Sequence, residues 1–258
     1  MPAPTDIALR SGAAIERTFL SVQARVRGGS FFSAGMLARE ADGSVPWTQE
    51  LDQAARIRED MARNLVTSGF TMDHVVAVDL HLVPASQGTV GERARKVASV
   101  LGLERAAVRG FVVTALNRPE YLVEVAVIGD SMVTQGCVEN PGANAPIGSP
   151  GRWAGDTLHL AGHCDGLGED VDLPSRYEAV LRAVLATLAA AGLGPDDLMQ
   201  TTTHLLSPPT GEELAAIGEV RRRYLNADLP PAGTMITVSA LPCASSGVQL
   251  SGTALRRP

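Results

Sequence analysis

The chain has 258 residues and carries 22 Lys and Arg against 28 Asp and Glu, a formal net charge of −6 at pH 7. Because nucleic acids and anionic lipids bind clustered cations, this balance argues against both as partners. The length allows one large domain or two small ones. Three cysteines outside any CxxC spacing fit neither a disulfide framework nor a zinc clip, and neither an export signal nor a membrane-spanning stretch is visible, so we expect a cytoplasmic protein.

The first half of the chain predicts alternating strands and helices. In chain order these are a strand at 30–35, a helix, a strand at 75–84, a second helix at 89–101 and strands at 107–116 and 121–128. The first helix is predicted by apolar residues at three- and four-residue steps, which are Leu51, Ala54, Ile57, Met61 and Leu65. It is expected to stop at Gly69.

The second half repeats this order. Residues 68–81 align without gaps on residues 191–204, so that Gly69, Asp73 and His81 each meet an identical residue 123 positions later. The preceding helix is expected to bury one stripe and then stop at Gly192, the stripe being Tyr177, Val180, Leu181, Val184, Leu185 and Leu188. The remaining predicted elements are a strand at 157–162, a helix at 211–225 and strands at 233–240 and 247–255. The repeat predicts two copies of one fold unit.

Helices gathered on one face of a largely antiparallel sheet form an α+β layer. The predicted fold class is therefore α+β, with two tandem ββαβαββ domains whose helices lie on one face of each sheet. We assign the first domain to residues 1–135 and the second to residues 151–258. The segment 136–150, dense in Gly, Pro and Asn, is the predicted linker.

Strand periodicity separates the two faces of the first predicted sheet. The residues expected to face the helices are Val76, Val78, Leu80 and Leu82. Asp79 and His81 then lie on the opposite face, together with Ala77 and Val83. A face that mixes polar and apolar side chains suits a subunit interface that also holds a small ligand.

Several segments resemble the reactive intermediate deaminase A family (RidA, formerly YjgF). In the second copy they are residues 155–162, 188–198, 221–225 and 229–232. In the first copy the matching residues, in register, are Val22, Gln23, Gly35, Gln53, Gly69 and 122–125. The resemblance covers nearly the whole chain and implies a tandem pair of chorismate-mutase-like domains, assembled as a homotrimer of six domains with ligand clefts between subunits. Chorismatases, which are similar in fold, are a precedent for a fused pair.

The resemblance also implies a site in the first copy. Arg109 and Glu124 stand fifteen residues apart, as do the family's substrate-binding Arg and its water-handling Glu. A guanidinium pairs with a substrate carboxylate through parallel hydrogen bonds, and a carboxylate can deprotonate the water that attacks an imine. His81 is a second acid–base candidate, with a packed interface histidine as the alternative. Gly35 and Phe111 are expected to line the substrate pocket.

The second copy lacks both charges of this site. The alignment places Gly233 at the Arg position and Gln249 near the Glu position, so we expect this copy to be structural or to contribute walls to the cleft. The first copy departs from the family in three residues. Ser21 and Ala34 replace a Tyr and a Ser, and Phe111 stands where a small residue is usual, which favours a dedicated substrate.

Metal ions and cofactors are not expected. His159 and His163 lie four residues apart on a predicted strand, a separation of ~13 Å that is too long for one ion. The stretch 165–172 holds carboxylates without the order of a calcium loop and is predicted to be a solvated loop. Residues 166–168 lack the third glycine of a dinucleotide loop.

The resemblance implies an enzyme: a small-molecule hydrolase or deaminase that acts on an imine, an enamine or a related carboxylated metabolite. One alternative is a chorismatase-like or other biosynthetic enzyme that uses the same cleft. The other is a non-catalytic ligand-binding or scaffold protein, which the loss of both charges in the second copy favours.

Overall fold

A computed structural model describes residues 7–9, 23–27, 29–85, 87–138, 147–168, 170–243 and 245–256. The first unit contains strands β1 (Ile7–Leu9), β2 (Ala24–Arg27), β3 (Ser30–Ser33), β4 (Met36–Leu37), β5 (Val75–Leu82), β6 (Ala107–Val112) and β7 (Val123–Asp130), with helices α1 (Glu50–Thr67) and α2 (Val90–Leu101). The second contains β8 (Val133–Val138), β9 (Gly151–Ala154), β10 (Thr157–Cys164), β11 (Leu198–Leu205), β12 (Ala232–Thr237) and β13 (Val248–Leu255), with α3 (Leu173–Ala190) and α4 (Gly211–Tyr224).

The two sheets repeat one topology. The strand order is β1-β2-β3-β7-β5-β6 in the first and β8-β9-β10-β13-β11-β12 in the second, and the short β4 also pairs with β7. In both sheets the two strands that flank the second helix, β5 with β6 and β11 with β12, are parallel. His81 lies opposite Glu124, and His204 lies opposite Gln249 in the same register. The α+β fold class is confirmed, and the structure adds one strand at the start of each unit, β1 and β8, and the short β4 in the first.

The helices form where the apolar stripes predict them. α1 buries Ala54, Ile57, Met61 and Leu65 against the first sheet, and α3 buries Tyr177, Val180, Leu181, Val184 and Leu188 against the second. α2 and α4 each begin with a capping box, in which a Thr and a Glu three residues later satisfy each other's free backbone N–H groups. Because every helix packs on the same side of its sheet, the other side, here called the inner face, is left for other contacts.

A β-bulge changes the predicted strand faces at one point. The register of β5 against β7 shifts between Val75 and Ala77, so Val75 rather than Val76 joins the core under the helices. Beyond the bulge, Val78, Leu80 and Leu82 face the helices as predicted. Asp79 and His81 therefore lie on the inner face. β11 has the same bulge between Leu198 and Gln200, which repeats this geometry in the second unit.

The second unit begins earlier than the composition predicts. Residues 133–135 were assigned to the first domain and residues 136–138 to the linker, but β8 pairs with β9 as the edge strand of the second sheet. A tight turn makes this possible, because the Met132 N–H donates to the Asp130 carboxylate and the Ser131 N–H donates to the Gly29 carbonyl. The most Gly- and Asn-rich part of the predicted linker, 139–146, lies outside the described residues.

The predicted solvated loop starts with a buried ion pair. The Asp165 side chain is fully buried and lies 3.2 Å from the Arg176 guanidinium. The carboxylate also accepts hydrogen bonds from the N–H groups of Gly247 and Val248, at 3.0 and 2.9 Å. In the first unit Gln53 stands at the position of Arg176, as the fourth residue of its helix, and likewise bonds the loop before the last strand. Asp165 is thus held to the segment that leads into β13 and is not solvated, whereas Gly168, Asp170 and Asp172 of the predicted loop are exposed.

The second unit covers part of the inner face of the first. Backbone bridges join Val112 to Ala240 and Ala107 to Gly148. Ala77 and Ala107 pack against Ala161 between the sheets. A face that the sequence assigned to contacts between subunits is therefore in contact with the chain's own second unit.

A substitution at Gly91 can test this contact between the units. It lies in the first turn of α2, where a Cβ would overlap the carbonyl oxygen of Pro242 in the second unit. We expect Gly91→Ala to lower the free energy of unfolding by about 1–3 kcal/mol, because neither backbone can move freely. Gly211→Ala, in the first turn of α4 with open space around it, should change stability by less than about 0.5 kcal/mol. Urea unfolding of both variants measures the difference, and equal effects would contradict the contact.

Candidate functional site

His81 and Glu124 form a pair on the inner face of the first sheet. β5 and β7 place them directly opposite each other, and His81 Nδ1 lies 3.1 Å from Glu124 Oε1. Each side chain is 26% exposed, so both are accessible from outside. Gly35 makes room for the carboxylate, since a Cβ at this position would lie 2.5 Å from it. Three of the predicted site residues therefore meet at one point.

Arg109 is already paired with a carboxylate of the same unit. β6 lies parallel to β5 and sets Arg109 beside Asp79. Arg109 Nη2 donates to Asp79 Oδ2 at 2.9 Å, and Nε lies 2.6 Å from Oδ1 without the alignment of a hydrogen bond. The sequence analysis placed Asp79 on this face but did not include it in the site. Its position two residues before His81, on the strand next to Arg109, was the signal for it.

Phe111 lies between two histidines from different units. Its ring centroid is 4.8 Å from that of His81 and 4.3 Å from that of His204, and the second contact is stacked with 27° between the planes. The Phe111 side chain also packs on Val238 and Leu241 of the second unit. The bulky residue that replaces a small one in the family pattern is thus a contact between the units as well as a wall of the site.

The histidines of the second unit that face this site are neutral near pH 7. Burial, followed by the charge of Arg109 and then the neighbouring His81, lowers the pKa of His204 to about 4. Burial, followed by Arg109, also lowers the pKa of His159 to about 4. Neither His204 nor His159 therefore adds a charge beside Arg109 near pH 7.

In the second unit the counterpart of Arg109 is Thr234 and not the predicted Gly233. β12 pairs with β11 so that Thr234 stands opposite Thr202, as Arg109 stands opposite Asp79, and this replaces Gly233 by Thr234 as the counterpart. Gln249 occupies the Glu position and is fully buried. Its Nε2 donates to the Gly110 carbonyl of the first unit at 3.1 Å. The second copy of the site therefore forms part of the contact between units.

Ser21 and Ala34 are the two positions at which the first copy lacks the family's polar side chains. Ser21 lies outside the described residues, whereas the backbone N–H of Ala34 donates to the Gln23 carbonyl at 2.8 Å. Within the described ranges, no three His, Cys, Asp or Glu side chains are grouped so that they could hold a metal ion. None of the helices in the described part of the chain is long and apolar enough to cross a membrane.

Comparison with known proteins gives likeness in structure only. No family model matches the chain, and no curated protein matches it. Three similar solved structures are a member of the YjgF/YER057c/UK114 family from Mycobacterium tuberculosis (22% identity, TM-score 0.40, 49% of this chain and 99% of that one), RidA from the Antarctic bacterium Psychrobacter sp. (19%, 0.40, 47% and 100%) and the Rid family protein YyfA from Yersinia pestis (20%, 0.40, 47% and 98%). Their names belong to the family that the sequence resembles, and each covers about half of this chain. Likeness at this identity concerns the fold alone.

Proposed function

We propose that the chain is a small-molecule hydrolase or deaminase that acts on an imine, an enamine or a related carboxylated metabolite, in a cleft on the inner face of the first sheet. The observation that carries this proposal is the hydrogen bond between His81 Nδ1 and Glu124 Oε1, in a site that remains partly open. The sequence resemblance to RidA supplies the reaction class. Three free thiols, Cys137, Cys164 and Cys243, are consistent with work in a reducing cytoplasm.

The hydrogen-bonded pair of His81 and Glu124 suggests how a water molecule would be activated. When Glu124 accepts the Nδ1–H of His81, the Nε2 atom keeps its lone pair and can take a proton from water. The hydroxide adds to the C=N carbon, and the proton passes to the nitrogen. The hydroxyl proton of the adduct then passes to the nitrogen by way of His81, the C–N bond breaks, and a carbonyl compound and ammonia leave. In this mechanism His81 is the catalytic base, and Glu124 fixes its tautomer and stabilises the imidazolium, a different role from the water-handling one that the resemblance implied.

The assay follows from this reaction. Imines of amino acids, produced in the cuvette by an amino-acid oxidase, should lose ammonia faster with the protein than without it. Appearance of the corresponding keto acid measures the rate. If keto acids and aromatic carboxylates bind but no imine or enamine is hydrolysed, the ligand-binding alternative is favoured.

The Asp79–Arg109 pair should limit binding of carboxylates. A substrate carboxylate must share the guanidinium with Asp79 or use the donors that Asp79 leaves. We expect Asp79→Asn to tighten binding of keto acids and aromatic carboxylates by about tenfold, because it removes a competing anion. Arg109→Ala should weaken binding by ~2–5 kcal/mol. Calorimetric titration should give one ligand per chain, since Thr234 offers no cation in the second unit.

A matched control distinguishes this effect from a change in net charge. Asp73→Asn removes an exposed carboxylate of the same unit and should leave carboxylate affinity unchanged. Two equivalent ligands per chain, or tight binding that survives Arg109→Ala, would contradict the assignment of Arg109.

We propose further that the chain forms a homotrimer through the second sheet. All six residues of β12 are exposed, including Met235 and Ile236, whereas its counterpart β6 is largely buried by the second unit. An edge strand with exposed backbone and apolar groups is prone to pair with another chain. Light scattering should give about 81 kDa, three times the 27.0 kDa of one chain. A 27.0 kDa particle at micromolar concentration would contradict this assembly.

A further inference from the structure

The second unit holds a short stretch of β6 in the first unit, residues 110–112. Gln249 Nε2 donates to the Gly110 carbonyl at 3.1 Å. Val112 exchanges two backbone hydrogen bonds with residues 239–240, at 2.8 and 2.9 Å. The backbone on both sides of the residue between them is therefore fixed by the second unit.

That residue, Phe111, is also held through its side chain. Its ring is stacked on the ring of His204, with the centroids 4.3 Å apart and 27° between the planes. Val238 and Leu241 of the second unit pack on the same side chain. Phe111 is 7% exposed and His204 is 3% exposed. Because both rings are buried in close contact, a change in one ring displaces the other.

The Phe111 ring in turn limits the orientation of His81. His81 stands on the middle one of three neighbouring strands, with Glu124 opposite on β7 and Phe111 opposite on β6. The carboxylate lies 3.1 Å from Nδ1, and the Phe111 centroid lies 4.8 Å from that of the imidazole. A hydrogen bond on one side and an aromatic ring on the other therefore confine the imidazole and set the direction of its Nε2 atom.

His204 carries a polar atom that stacking alone does not require. Its Nδ1 is buried and has no hydrogen-bond partner in the part of the chain that the structure describes. A buried nitrogen without a partner destabilises a fold, whereas an apolar ring of similar shape has no such loss. Phenylalanine at this position should therefore keep the stacked contact and remove the unsatisfied nitrogen. This difference separates a role of the flat ring from a role of its nitrogen atoms.

We propose that His204 is a positioning residue for the candidate site: by stacking on Phe111, it holds the imidazole of His81 in the orientation that bonds to Glu124. In this role His204 acts through Phe111 and does not touch the substrate. The expected effect on rate rests on the proposed hydrolysis, whereas the orientation of the His81 ring exists without a substrate and is measured separately. The second copy, which lacks both charges, thus contributes to the geometry of the first.

Nuclear magnetic resonance of the histidine rings measures this orientation in the substrate-free chain. The five histidines are assigned by substituting each of them in turn. At a pH where the imidazole is neutral, His81 should show one tautomer, with the proton on Nδ1 and Nε2 bare. In His204→Ala the second tautomer should appear and the His81 signals should shift. In His204→Phe the His81 signals should stay at their positions in the unaltered chain.

Rates give the second measurement. His204→Ala should lower kcat for imine hydrolysis by ~10–10²-fold and leave KM within a few-fold, because a misplaced base affects proton transfer more than binding. His204→Phe should restore most of this loss. His163→Ala is the matched control, since His163 is a buried histidine of the same unit that bonds to Thr187 of α3, on the helix side of the sheet. It should leave kcat and the His81 signals unchanged.

The proposal is overturned if the His81 signals of His204→Ala are those of the unaltered chain. It is also overturned if His204→Phe changes them as much as His204→Ala, because the imidazole nitrogens would then be the acting groups. Should His204→Ala fail to fold, His204→Leu fills the space without a flat ring and gives the same comparison. If the His81 signals respond as expected but no variant, nor the unaltered chain, hydrolyses an imine, the positioning of His81 stands and the proposed hydrolysis fails.

Discussion

His81→Ala and Glu124→Gln are each expected to lower kcat for imine hydrolysis by ~10²–10⁴, with ligand affinity changed only a few-fold. The alanine variant removes the base that takes the proton from water. The glutamine variant keeps the shape of Glu124 and can still accept the Nδ1–H, but it has no negative charge to stabilise the imidazolium that forms. A loss in kcat without a loss in binding is typical of groups used mainly in the transition state.

Measurement of both rate and affinity separates the possible mechanisms. His74→Ala is the matched control, because His74 bonds to Thr71 on the outer surface of the same unit and should have full activity. Full activity of Glu124→Gln, together with loss of activity in His81→Ala, would mean that the imidazole works without the carboxylate. If neither variant changes the rate and no carboxylated imine is turned over, the ligand-binding function replaces the enzymatic one.

Arg176→Met should cost about 3–5 kcal/mol of folding free energy, the largest stability effect that we expect from a single substitution in the second unit. Methionine fills the space of the arginine stem but leaves the buried Asp165 carboxylate without its cation. The guanidinium also donates to the backbone carbonyls of Val171 and Ser245, at 2.8 and 2.9 Å, and these acceptors lose their donors at the same time.

Urea unfolding at pH 7 measures the loss of stability in Arg176→Met, and a variant of an exposed ion pair is the control. Arg222→Met removes a cation that pairs with Glu219 on the surface of α4, where water screens both charges. Its unfolding midpoint should stay close to that of the unaltered chain. If Arg176→Met also unfolds at the unaltered midpoint, the Asp165 carboxylate is stabilised without the guanidinium, by the backbone N–H groups that donate to it, among them those of Leu167, Gly247 and Val248.

The sequence was sufficient for the elements and for part of the site. Helix periodicity reflects burial, and for this reason the apolar stripe from Leu51 to Leu65 predicted α1 closely, although Leu51 itself is exposed. The register between strands is different, because it depends on partners that are distant in the chain. The bulge between Val75 and Ala77 shifts one residue to the other face, and no local pattern marks it. The pairing of β8 with β9 was missed for the same reason.

The partners of the charged residues were also beyond prediction from local sequence. Arg109 and Glu124 were identified by a resemblance, and strand geometry places them on the same face as His81. Which anion the guanidinium contacts depends on its neighbour across β5 and β6, and that neighbour is Asp79. Asp165 looked solvated because carboxylates and glycines dominate its segment. Its burial follows from an arginine on α3 and from backbone N–H groups at the start of β13, those of Gly247 and Val248, which sequence composition does not report.

The amide of Gln249 has a consequence for how a duplicated domain can diverge. At this position the first unit has a carboxylate that water reaches, and the second has a buried amide that donates to the Gly110 carbonyl. A carboxylate has no proton to donate at neutral pH, so a glutamate here would set two acceptors against each other inside the chain. Two identical units could not have docked in this way. The exchange of one oxygen for an NH₂ group therefore makes the second copy part of the contact between the units, and a later mutation back to glutamate would break this contact.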